Sequence, residues 1–158
     1  MLKPRPSLTL TLLQAREAAM GFFRPLLNEH GLTEQQWRII RILWQRGEME
    51  SHQLAKQACI LKPSMTGVLS RMERDGYVQR WKTPKDQRRV YVSLTDRGRA
   101  CFESMATGME ANYQRIQEQF GEEKLKTLIA LLEELKQVRP GSEDDDEERL
   151  IYPDRDDS

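Results

Sequence analysis

Little in this chain of 158 residues is suited to covalent chemistry. His30 and His52 are its two histidines, Cys59 and Cys101 its two cysteines, and no carboxylate is spaced with them as a metal site requires. Serine elbows, glycine-rich phosphate loops and HExxH are absent, so no catalytic residue, metal or cofactor is expected and the chain reads as a non-enzyme. Acidic pairs such as Glu122-Glu123 and Glu133-Glu134 read as solvated helix surface. Two cysteines build no disulfide framework; the thiols are expected to be buried, the alternative being a redox switch. No run of 18 apolar residues occurs, so no membrane span is expected. The N-terminus lacks a signal-peptide core, which points to the cytoplasm. No internal repeat is visible.

Net charge is also absent, but only as a sum. Pro140 to Ser158 carries nine acids and two bases, −7, so the remaining body carries +7. A basic body with an acidic tail suits a nucleic-acid binder.

The basic charge gathers around one helix and one hairpin. From Lys62 to Asp75 the apolar residues Met65, Val68, Leu69 and Met72 recur at i, i+3, i+4, i+7, one narrow buried stripe. The other side carries Pro63, Ser64, Thr66, Gly67, Ser70, Arg71 and Arg74, small or hydrogen-bonding residues where a solvated face would hold Glu and Lys pairs. Gly67 in mid-helix costs about 1 kcal/mol against alanine, so something must approach closely there. Gly76 is placed to end the helix. Tyr77–Trp81 and Val90–Leu94 then read as strands joined by a basic tip, Thr83 to Arg89. From Lys62 to Arg99 there are ten bases against four acids, a surplus that suits phosphate neutralisation and base-edge contact.

The pattern Asp86-x-Arg88-x-x-x-Val92-x-Leu94-Thr95-x-x-Gly98, with Leu32-Thr33-x-x-Gln36-Trp37 and Leu54-Ala55 upstream, resembles the MarR family of winged helix-turn-helix regulators over about Leu8 to Val138. The resemblance implies a mainly α fold with a small antiparallel β-hairpin, and a third strand at Glu48-Met49-Glu50. It divides the chain into an arm and dimerisation helix (1–32), a winged helix-turn-helix (33–98), further dimerisation helices (99–139) and an acidic disordered tail (140–158). Along the chain, Leu8–His30 reads as a helix with a broad apolar stripe and Pro25 inside it. Thr33 and Gln36 form a capping box, with Trp37, Ile40, Leu43 and Trp44 facing inward. Ser51 is expected to cap a short helix through Ala58. Lys62 stands before Pro63, where a capping hydroxyl is expected, and a DNA phosphate is its expected compensation. A long helix from Thr95 and a last helix with Leu125, Leu128, Leu132 and Leu135 complete the apolar faces, with Phe120 and Leu125 as a staple about Gly121.

The function so implied is a homodimeric, ligand-responsive repressor of an aromatic-degradation operon, bound to a palindromic double-stranded DNA operator. Lys62 is assigned to phosphate, and Ser64, Thr66, Gly67, Ser70 and Arg71 to base edges. Arg74 and Lys85 add positive charge, and Arg88 is expected in the minor groove, its side chain steadied by Asp86. An aromatic acid such as 4-hydroxyphenylacetate is the implied effector, needing a cation for its carboxylate and a flat apolar wall. Candidates are Arg16, Phe23, His30, Trp37, Arg38 and Arg41; the bland alternative makes Trp37 core and the arginines surface ion pairs. The segment joining Thr95 and Gly98 to the long helix is where reading-head spacing could change. The rival function is a winged-helix protein-interaction module whose basic face binds an acidic protein.

Overall fold

A computed structural model describes residues 2–141; the expected acidic tail lies, from residue 142 on, outside the described residues. Six helices and three strands follow in the order α1 (Leu8–Glu29), α2 (Glu34–Arg46), β1 (Met49–Glu50), α3 (Ser51–Ala58), α4 (Lys62–Arg74), β2 (Val78–Thr83), β3 (Asp86–Leu94), α5 (Asp96–Phe120) and α6 (Glu122–Leu135). The sheet is antiparallel with β3 central, in the order β1-β3-β2. No helix among the described residues is long and apolar enough to cross a membrane.

Local chemistry sets most boundaries. Ser7 caps α1, its hydroxyl accepting from Leu10 N at 3.2 Å. Thr33 and Gln36 close the expected reciprocal box at the start of α2, each bond 3.1 Å long. After α4, Gly76 takes φ 82°, and the amides of Gly76 and Tyr77 donate back to Glu73 O and Met72 O. That satisfies carbonyls the helix end would otherwise leave open. Cys59 does the same for α3 with φ 55°, the sole positive-φ residue other than glycine among the described residues.

Several expectations are corrected. Cys59 is exposed and Cys101 half-buried, so the thiols are not both core groups; burial pushes the Cys101 thiol upward. Ser51 is the first residue of α3, and its cap, Glu50, makes no side-chain bond. Leu61, not Lys62, is the cap of α4, so Lys62 already lies in the first turn beside Pro63. The strands extend past their expected ends, and the turn shrinks to Pro84-Lys85 because Thr83 pairs with Asp86 across a register shift. Trp44 is 46% exposed although it stacks on Phe102, centroids 4.3 Å apart. Phe120 remains exposed and takes the Lys124 ammonium over its ring at 5.0 Å instead of stapling inward.

One core unites α1 to α5. Leu27, Ile39, Ile40, Leu54, Met72, Val92 and Met105 are each at most 2% exposed within it. The expected α1 stripe of Leu8, Leu12, Ala15, Ala19, Phe22, Phe23 and Leu26 is less buried than its pattern implies: Leu8 is 60% and Leu12 36% exposed, and the one buried residue of α1 is Leu27. On α6 Leu125 is buried and Leu131 is 57% exposed.

Candidate nucleic-acid interface

Helix α4 buries Met65, Val68, Leu69 and Met72, as its spacing requires. The helical period then leaves Lys62, Ser64, Thr66, Ser70, Arg71 and Arg74 exposed on the other side. A Cβ at Gly67 would meet the Arg71 guanidinium at 3.4 Å, ordinary van der Waals contact. The fold itself therefore does not demand glycine there, and the shallow spot faces outward.

Arg80 anchors this face to the wing, and its period explains how. Alternation along β2 puts Arg80 on the same side as buried Val78. Its guanidinium donates to Ser70 Oγ at 3.2 Å and Glu73 Oε1 at 3.1 Å, while its backbone N–H donates to Glu73 Oε2 at 3.0 Å. The Arg80 guanidinium beside Glu73 holds that carboxyl below its ordinary range. Ser70, assigned to base edges from the sequence, is thus already an acceptor within the protein. On the sheet's other face Trp81 and Tyr91 stack directly across the ladder, centroids 6.1 Å apart.

At the wing tip Lys85 and Arg88 are exposed, the Arg88 side chain 95% so. Asp86 acts differently from expectation. Its Oδ1 accepts the backbone N–H of Arg88 at 3.0 Å, whereas the Arg88 side chain stands 3.6 Å away and Arg89 Nε approaches Oδ2 at 3.3 Å. Asp86 therefore shapes the turn through the Arg88 backbone while its carboxylate is shared by the Arg88 and Arg89 side chains. A cavity of about 320 Å³ separates helix from wing, with His52, Lys62, Thr66, Arg80 and Val90 among its walls.

The effector candidates are scattered by comparison. Arg16 donates to Glu34 Oε2 at 2.5 Å. Arg24, not foreseen from the sequence, donates to Glu34 at 2.7 Å and doubly to Glu17 at 2.8 and 2.9 Å. Arg16 holds the Glu34 carboxyl below its ordinary range with help from Arg24, and Arg24 does the same for Glu17. Arg38 donates to Ala58 O at 2.7 Å and is pushed downward by burial. Trp37 is core, stacked parallel to Phe102 at 5.5 Å. Phe23 is half-buried, and His30 Nδ1 donates to the carbonyl of Leu26 at 3.0 Å. Arg41 lies exposed on α2. Neither this cavity nor a second one of about 580 Å³ beside Arg46 and Lys56 is lined by any of the six.

A helix pair, a projecting basic hairpin and a polar outer face on the second helix define a winged helix-turn-helix protein. The chain belongs to the MarR family. Residues 32–90 match the family description. It is 56% identical to the homoprotocatechuate degradative operon repressor of Escherichia coli, over 81% of this chain and 86% of that one. A crystal structure of the transcriptional regulator PA4135 superposes with TM-score 0.84 at 76% identity, covering 86% of this chain and 100% of the other. The crystal structure of NadR in complex with 4-hydroxyphenylacetate gives 0.78 at 44% identity, covering 88% and 99%. The fold expected from the sequence, mainly α with a small winged sheet, is the fold observed.

Proposed function

We propose that the protein is a cytoplasmic, non-enzymatic repressor that binds a palindromic operator as a homodimer and leaves it when a phenolic acid binds. The observation that carries the DNA reading is the outer face of α4 held to the wing through Arg80. That face joins small hydrogen-bonding residues for base edges to arginines for phosphate and guanine. Thr66, Gly67 and Arg71 read bases; Lys62, Arg74 and Lys85 neutralise phosphate; Arg88 enters the minor groove. Ser64 and Ser70 complete the polar face, Ser70 being oriented by Arg80.

The regulated operon is inferred from the 56% identical repressor, and the ligand class from the NadR complex. Among the cations considered, Arg41 suits the ligand carboxylate better than Arg16, whose charge Glu34 already meets.

The test is a titration of the complex with 4-hydroxyphenylacetate, using a duplex the protein itself selects from a random pool. Release of DNA with a rise in the protein's melting temperature is expected, the two effects linked reciprocally. Arg41→Ala should blunt release and leave DNA binding of the unliganded protein intact. Retention of DNA at millimolar acid, with no heat in calorimetry, would sink the effector assignment but not the DNA reading.

A further inference from the structure

The outer face of α4 and the wing is cationic and open. Arg74 meets Asp75 at 3.3 Å with 70% of its side chain exposed, and Arg88 and Arg89 share the one carboxylate of Asp86. Lys82 and Lys85 are exposed beside them. A matching counter-charge lies in the same chain: Pro140 to Ser158 sums to −7, and Glu143 to Glu148 are six consecutive carboxylates.

Linear charge density as well as sign fits. Carboxylates on successive residues of a drawn-out chain recur every ~3.3–3.6 Å. Each strand of DNA carries one phosphate per ~3.4 Å of helix axis. Reach is sufficient too. Helix α5, starting at the foot of the wing, carries the chain about 37 Å at 25 residues, and α6 packs back against it. Glu148, the far end of the acidic run, lies seven residues past Gly141 and can stand up to about 25 Å from it, and the last acid, Asp157, up to about 58 Å. A tethered segment acts at an effective concentration of about a millimolar, enough to compete when intrinsic affinity is weak.

We propose that the acidic segment Glu143–Asp157 docks on the cationic face of α4 and the wing, where it competes with duplex DNA as a charge mimic of the phosphate backbone. The proposal rests on the DNA-binding reading above. Non-specific DNA offers only charge and is held off. An operator adds base contacts that the tail cannot imitate, so it displaces the tail and gains in relative preference.

The experiment compares the native full chain with a full-length variant carrying Glu143→Gln, Asp144→Asn, Asp145→Asn, Asp146→Asn, Glu147→Gln and Glu148→Gln. Affinity for a random-sequence duplex is measured from about 50 to 300 mM salt, a range over which phosphate-driven binding changes steeply. The variant should bind about tenfold tighter at the low end, the gap closing as salt rises. Carbodiimide crosslinking of the native chain, read by mass spectrometry, should join tail carboxylates to Lys82 or Lys85, and added duplex should remove those links. Equal affinities overturn the proposal. So do links confined to Lys124, Lys126 or Lys136, even if affinity changes, because a long-range field would then suffice. If neither protein binds any duplex while links to Lys82 or Lys85 form, docking stands and the DNA reading falls.

Discussion

Gly98 shows what a single position can demand. A Cβ there would stand 2.2 Å from the carbonyl oxygen of Tyr77 and 2.9 Å from Leu94 Cδ2. The first neighbour is backbone and cannot step aside. Gly98→Ala should therefore cost about 2–4 kcal/mol, the scale of severe overpacking, and denaturant titration will show it as a lower midpoint. Glu34 works by charge instead. Its carboxyl, at the meeting of α1 and α2, is held below the ordinary value of 4.5, by Arg16 first and then Arg24. A depressed carboxylate adds stability that is complete above the unfolded pKa and disappears as pH falls through the lower folded one. Melting temperature should thus drop more steeply below about pH 4.5 in the native protein than in Glu34→Gln, and parallel curves would remove Glu34 from the acid response.

Elements show where the sequence was readable. The α4 stripe, the box at Thr33 and Gln36 and the stop at Gly76 involve residues within seven positions of one another, and each appears as expected. What could not be read crosses between elements. Nothing local announces that Arg24 reaches Glu34, or that Arg80 reaches Ser70 ten residues back. Alternation along β2 offered a signal for Arg80, but a lone arginine on an inward register looks the same as an exposed one until α4 is placed above it. The wing is longer than its sequence suggests because Thr83-Pro84-Lys85-Asp86 closes a tight turn, while Gln87 to Arg89 bulge unpaired between the Thr83–Asp86 and Lys82–Val90 pairs. At this scale Arg80→Met tests whether helix and wing act as one reader. Loss of bonds from a buried-side guanidinium, worth about 1.5–3 kcal/mol, should weaken operator binding tenfold or more. Arg80→Lys should rescue only partly, since an ammonium cannot span Ser70 and Glu73 in one plane. Unaltered affinity in Arg80→Met would make the contact a matter of stability alone.

The whole molecule leaves apolar surface at both ends of its chain. Leu8, Leu10 and Leu13 on α1 and Leu128, Ile129 and Leu131 on α6 are each between 39% and 60% exposed. A second copy covering these faces is the dimer inferred above. Melting temperature should then rise with protein concentration. Leu131→Glu should yield a monomer by sedimentation and lose operator binding, whereas a native monomer at micromolar concentration with full affinity would refute the dimer.

Between that dimer and the DNA stands the joint at Thr95. Its hydroxyl donates to Gly76 O at 2.5 Å and accepts from Gly98 N at 3.1 Å, and its amide donates to Tyr77 O at 3.1 Å. The end of α4, the root of β2 and the start of α5 are thereby tied at one residue, in the segment where reading-head spacing is expected to change. A shaft fixed this way works as a lever. With an arm of about 37 Å, a tilt of only 5° displaces the reading helix by about 3 Å, close to one base-pair step. The gain of such a device is set by the length of α5.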